Sequence, residues 1–201
     1  MCSLSGDGLI LAFGSGALGD TEEDICIATR TSRVEPFGEA KRLPAPVNTT
    51  SAERHAALSS DGLMLALTTD RPTVRRGSVL IFQRPSIQAD FNTDPLVDSS
   101  LQTAWYTVGS FASDGRGLLL TTMDMGREVT KWHARPDSKS PFSPGVKLQP
   151  PFDTLGIGMP RLSADGMTLY FHSRLLPNGY GDLDLWMSRR VKKVTAKNTL
   201  D

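Results

Sequence analysis

Leu58-Ser59-Ser60-Asp61-Gly62, running into Leu63-Met64-Leu65-Ala66-Leu67, is the stretch on which the fold turns. Asp-Gly between two apolar runs is a hairpin signal: the aspartate side chain caps nearby backbone amides and glycine takes the positive φ that the turn demands. The run after the turn is apolar at every position, as a strand covered on both faces must be.

The same phrase, apolar residue, Ser or Ala, any residue, Asp, Gly, occurs at Leu4–Gly8, Phe111–Gly115 and Leu162–Gly166 as well, and its aspartates stand 54, 53 and 51 residues apart. A second phrase keeps the same rhythm and ends in arginine: Asp24 to Arg30, Ser78 to Arg84, Val129 to Arg135 and Asp184 to Arg190. Between turn and arginine lies room for two strands and a loop. A short fourth strand is expected after the arginine, at Ala40-Lys41-Arg42-Leu43 and Gly145-Val146-Lys147-Leu148. No stretch carries helical periodicity.

Four copies of a four-stranded unit at this period predict an all-β protein, a β-propeller of antiparallel blades packed face to face about an axis. The units divide at 1–48, 49–102, 103–153 and 154–201, as blades of one propeller domain. A β-sandwich would not repeat its turns and loops in register.

The Leu-Ser-x-Asp-Gly turn, Leu169-Tyr170-Phe171-His172-Ser173-Arg174, Gly179-Tyr180-Gly181, Asp184-Leu185-Trp186, and Pro46-Val47-Asn48 followed by Glu53-Arg54-His55 resemble the WD40-like (PD40) repeats of TolB and related bacterial propellers. The resemblance covers nearly the whole chain. It implies a propeller from the bacterial envelope or a sensor system, in a periplasmic or other extracytoplasmic setting, and it brings no catalytic motif. Propellers of that kind usually have six blades. Four repeats, with only eleven residues after Arg190, lead us to expect a partial or open propeller rather than a small closed ring, and a piece of a larger protein. Open blade faces would then be covered by further blades or by dimerisation.

Composition narrows the function. Lys plus Arg and Asp plus Glu number 22 each, so no net charge draws the chain to nucleic acid or to an acidic membrane surface. The basic tail Arg189–Lys197 lacks interleaved aromatics and reads as a solvated end. No apolar run approaches membrane-spanning length, and Met1–Asp7 does not read as an export signal. Cys2 and Cys26 fall on non-adjacent strands and do not make a disulfide framework.

The candidate chemistry is sparse. Gly14-Ser15-Gly16-Ala17-Leu18-Gly19 fits a dinucleotide fingerprint, but the strand due near Asp24 leaves no space for the helix it needs. Asp20-Thr21-Glu22-Glu23-Asp24 lacks the spacing of a calcium loop. His55, His133 and His172 sit at unrelated repeat positions, and the serines of Ser-x-Asp-Gly recur as turn residues. No cofactor and no metal are implied, and Trp132 and Trp186 read as blade packing.

What departs from the repeat lies on the segments leading into the innermost strands: Glu53, Arg54 and His55 in the second unit, Trp105 and Tyr106 in the third, Arg161 in the fourth. These six form an expected charged and aromatic collar at the central opening. The reading is a non-enzymatic binding or scaffold module for a protein, peptide or glycan partner. The alternatives are a hydrolase whose residues assemble from several blades at one face, or a module accessory to a kinase or cell-wall-binding domain.

Overall fold

The computed structural model describes residues 2–16, 23–91, 93–102 and 105–191. Residues 17–19 of the glycine stretch, 20–22 of the acidic loop and 192–197 of the basic tail fall outside them. Among the described residues fourteen strands lie in four antiparallel sheets. The first holds β1 (Cys2–Leu4), β2 (Ile10–Ser15), β3 (Asp24–Thr29) and β4 (Lys41–Arg42), in that order. The second holds β5 (Glu53–Leu58), β6 (Met64–Thr69) and β7 (Ser78–Gln83), and the third β8 (Tyr106–Phe111), β9 (Gly117–Asp124), β10 (Arg127–Ala134) and β11 (Val146–Lys147). The fourth holds β12 (Gly158–Leu162), β13 (Thr168–Ser173) and β14 (Asp184–Arg189).

The four antiparallel sheets fit the expected all-β class, but among the described residues the fourth holds three strands rather than four, and so does the second. Its fourth strand shrinks to a single bridge, Leu96 with Ile81. Pro95, just before it, has no N–H to give a ladder, so pairing cannot extend there. Cys2 and Cys26 are free thiols on β1 and β3, kept apart by β2, whose Phe13 pairs with both.

The repeated turn is built as its residues require. Asp61 accepts from Ser59 Oγ (2.5 Å) and from the Leu63 amide (3.0 Å), while Ser59 Oγ accepts from the Met64 amide (2.8 Å). Gly62 sits at φ 71°, where a side chain would be strained. Ser5/Asp7 and Ser163/Asp165 repeat the arrangement. In the third blade Ala112 replaces the serine, and Asp114 takes the amide and the guanidinium of Arg116 instead.

A further contact recurs with the arginines. The amide of Arg84 donates to Leu63 O (3.0 Å), its Nε donates to Gly62 O (2.9 Å), and its guanidinium lies 4.6 Å over the ring of Phe91. Arg30 does the same with Leu9, Gly8 and Phe37, and Arg135 with Arg116, Gly115 and Phe142. Each arginine thus pins its hairpin turn to the loop seven residues further on by charge-assisted hydrogen bonds and a cation–π contact.

Phe91 and Phe142 do more than stack. Phe91 enters the apolar layer between the first and second sheets, with Ile10, Leu65, Leu67 and Phe82. Phe142 enters the layer between the second and third, with Met64, Ile81, Phe111 and Leu118. Each fully buried side chain of this size stabilises the fold by ~1.5–3 kcal/mol. Polar pins cross the same interfaces: Leu58 N donates to Ser3 Oγ (3.0 Å), Thr68 Oγ1 to Tyr106 O (3.0 Å), and Leu162 N to Ser110 Oγ (2.9 Å).

The blades pack in sequence, first on second, second on third and third on fourth, with β1, β5, β8 and β12 as the successive inner strands. Among the described residues no strand of the fourth blade packs extensively on the first. The central strand β6 is buried along its whole length, whereas the outer face of the fourth blade leaves Tyr170 49%, Met187 59% and Leu185 89% exposed.

Candidate functional site

The inner strands carry irregularities that aim their side chains. The register shifts between Arg54 and Ala57 on β5, between Val108 and Phe111 on β8, and between Gly158 and Arg161 on β12. His55 and Met159 stand inside two of these bulges with φ of 57° and 47°. A bulge adds a residue on one strand and re-aims its neighbours, which is how polar side chains come to point across the opening.

Arg161 is the centre of this region. One of its terminal nitrogens donates to Gly109 O on β8 and the other to Ala56 O on β5 (3.2 Å). One side chain therefore ties the fourth blade to the inner strands of the third and second. Both partners are carbonyls, and no carboxylate among the described residues pairs with it. Burial pushes the guanidinium down to about 10, with the nearby Cys2 thiol opposing. Next to Ala56 stands His55, its Nδ1 buried without a hydrogen-bond partner. Burial above all, with the Arg54 and Arg161 charges nearby and Glu23 opposing, pulls its imidazole down to about 4, so it is neutral at pH 7.

The other four expected residues lie elsewhere in the packing. Glu53 is fully buried: its Oε2 accepts from Thr49 N (3.0 Å), and its Oε1 from Thr49 Oγ1 (2.9 Å), Thr69 Oγ1 (3.2 Å) and Arg71 Nε (2.9 Å), so the carboxylate is held inside the blade rather than turned to the opening. Tyr106 is 2% exposed and packs edge-on against His133 at 5.8 Å. Arg54 bridges Glu23 (2.7 Å) and Asp70 (2.8 Å). Asp70 meets Arg76 at 3.5 Å, and Arg76 lies 4.9 Å over the ring of Trp105, which is 47% exposed. Arg54 and Trp105 thus share one relay of charges, and His55 and Arg161 share another place.

Sequence reasoning passed over Asp70, Arg71 and Arg76, which organise the collar residues. It also passed over the phenylalanine seven residues after each arginine, although Arg30/Phe37, Arg84/Phe91 and Arg135/Phe142 were visible as a spacing.

Antiparallel sheets of three or four strands, packed one on the next through their inner strands, define a β-propeller. The solved structures agree. The chain is similar to a putative TolB from Agrobacterium tumefaciens at 16% identity, TM-score 0.59, over 94% of this chain and 57% of that one. It is similar to a thermostable family-43 glycoside hydrolase at 13% identity, TM-score 0.57, over 96% of this chain and 71% of that one. It is also similar to a prolyl endopeptidase at 18% identity, TM-score 0.53, over 95% of this chain and 26% of that one. At these identities the likeness is one of fold. The chain spans little more than half the length of the TolB it resembles. No protein-family model matches the chain, and no curated protein matches its sequence.

Proposed function

We propose that this chain is a non-catalytic binding module of a TolB-like propeller, which takes an acidic group of a protein or peptide partner at the opening between its inner strands. The observation that carries this reading is the half-buried guanidinium of Arg161, answered only by two carbonyls. A cation partly withdrawn from water without a counter-charge is disfavoured, and a partner's carboxylate would supply what the fold leaves out. The neutral imidazole of His55, with one nitrogen unpartnered, adds a second polar contact beside it. The carboxylates around this region, Glu53, Glu23 and Asp70, are held by arginines, which favours recognition over proton transfer.

The test is a titration of the chain with an acetylated octa-glutamate peptide, followed through the ring resonances of His55 by NMR. The expected result is a saturable shift, with a rise in the His55 pKa as negative charge arrives beside it, lost in Arg161→Gln while that variant stays folded. An absent shift at millimolar peptide, or an equal shift in Arg161→Gln, contradicts the reading.

A further inference from the structure

The interface between the third and fourth blades departs from the other two at three positions. The third residue after the turn aspartate is Ile10 in the first blade and Met64 in the second, both in the apolar layers, but Gly117 in the third. The ring of Trp132 leans into the space a Cβ at Gly117 would need. The residue two before the clamp arginine is Phe82 in the second blade and His133 in the third, both fully buried, but Ser188 in the fourth. In the sequence, the phenylalanine that follows Arg84 and Arg135 by seven residues and fills the interface at Phe91 and Phe142 is answered after Arg190 by a lysine at position 197, outside the described residues.

The result is an open cleft of about 870 Å³, floored by Leu119, Trp132, Phe152 and Leu169. That is within the ~300–1,000 Å³ of ordinary ligand sites. Arg190 stands on its wall. Its amide donates to Met167 O (2.9 Å), as those of Arg30, Arg84 and Arg135 donate at the equivalent places. Its guanidinium, unlike theirs, makes no hydrogen bond, ion pair or ring contact among the described residues, and no atom of it approaches Gly166 as Arg30 and Arg84 approach Gly8 and Gly62. Arg189 stands on the same rim with Lys147, which lies 3.6 Å from Asp124, while the two carboxylates of the cleft, Asp114 and Asp165, are engaged by Arg116 and by the Ser163 hydroxyl and Met167 amide.

We infer that the cleft between the third and fourth blades is a second binding site, for a peptide segment that presents an aromatic side chain flanked by acidic residues. The other interfaces show the occupant such a space takes: a phenylalanine ring, one face on the arginine and the other in the apolar layer. Here the ring would come from a partner, and the rim cations would hold the flanking carboxylates. The site is separate from the axial opening and does not depend on it.

The test is fluorescence anisotropy of a labelled peptide, Glu-Glu-Asp-Phe-Asp-Glu-Glu, against the full chain, with a control in which alanine replaces the phenylalanine. The expected result is saturable binding, at least tenfold weaker for the alanine peptide and at least tenfold weaker in Arg190→Ala. Ser188→Phe, which restores the ring found at Phe82, should fill the cleft, abolish binding and leave the chain folded. Equal affinity for both peptides, or undiminished binding to Ser188→Phe, overturns the proposal. So does a change in association state, rather than in peptide binding, on Ser188→Phe, because the occupant would then be a second copy of the chain.

Discussion

The guanidinium of Arg84 rests 4.6 Å above the ring of Phe91, and the two together join the hairpin turn of the second blade to the apolar layer against the first. The burial of the ring sets the size of the effect. Phe91→Ala removes a 2%-exposed ring and should cost roughly 3–5 kcal/mol of stability. Phe37→Ala, at the half-buried counterpart in the first blade, should cost only ~1–2 kcal/mol. Urea unfolding of both variants checks the order.

Glu53 and Arg71 form a buried pair, 2.9 Å apart. Glu53→Ala strands the guanidinium and two threonine hydroxyls, and should destabilise by roughly 3–5 kcal/mol. The double variant with Arg71→Met should lose less than the sum of the single losses, because the second change removes the orphaned charge. A double-mutant cycle by thermal or denaturant unfolding measures this coupling.

The collar shows where the sequence stopped being readable. Strands, turns and the arginine rhythm were legible because each is set by residues close along the chain, as in Ser59, Asp61 and Gly62. The surroundings of Glu53 were not, since Arg71 reaches it from beyond the end of β6 and no other blade repeats the pair. Arg161 was legible as a departure from the repeat, but its two carbonyl partners lie 52 and 105 residues away and depend on bulges that no local pattern announces. The open cleft was legible in principle, as the missing third member of a series that Phe91 and Phe142 begin.

Acid should loosen the fold before it protonates the turn aspartates. His55, held down to about 4, binds fewer protons folded than unfolded between about pH 4 and 6.5, and burial lowers His133 in the same direction, so stability rises with pH across that window and falls on acidification through it. His55→Asn, which tolerates the positive φ, should remove ~1–2 kcal/mol of the loss between pH 6.5 and 4.5, allowing for partial solvation. Asp7 and Asp114, lowered by hydrogen bonds to their charged forms, contribute stability that is present above 3.8 and lost below it. Calorimetry of the chain and of His55→Asn from pH 7.5 to 3.5 separates the two windows.

The uncovered face of the fourth blade should make the isolated chain self-associate. Tyr170 and Met187 are cross-strand partners, and Leu185 lies beside them at 89% exposure. Multi-angle light scattering should find species above the monomer mass, and Leu185→Lys with Met187→Lys should return the chain to 21.8 kDa.

Three closed clamps and one open one are the centre of this account, and amide hydrogen exchange reads them directly. The amides of Arg84 and Arg135 donate to Leu63 O and Arg116 O behind a stacked phenylalanine, whereas that of Arg190 donates to Met167 O with none among the described residues. The account predicts that Arg84 and Arg135 exchange only with the slowest core amides, and that Arg190 exchanges at least a hundredfold faster, through local opening. Equal protection at Arg190 would mean that the fourth clamp is closed, and would contradict both the open cleft and the site placed in it.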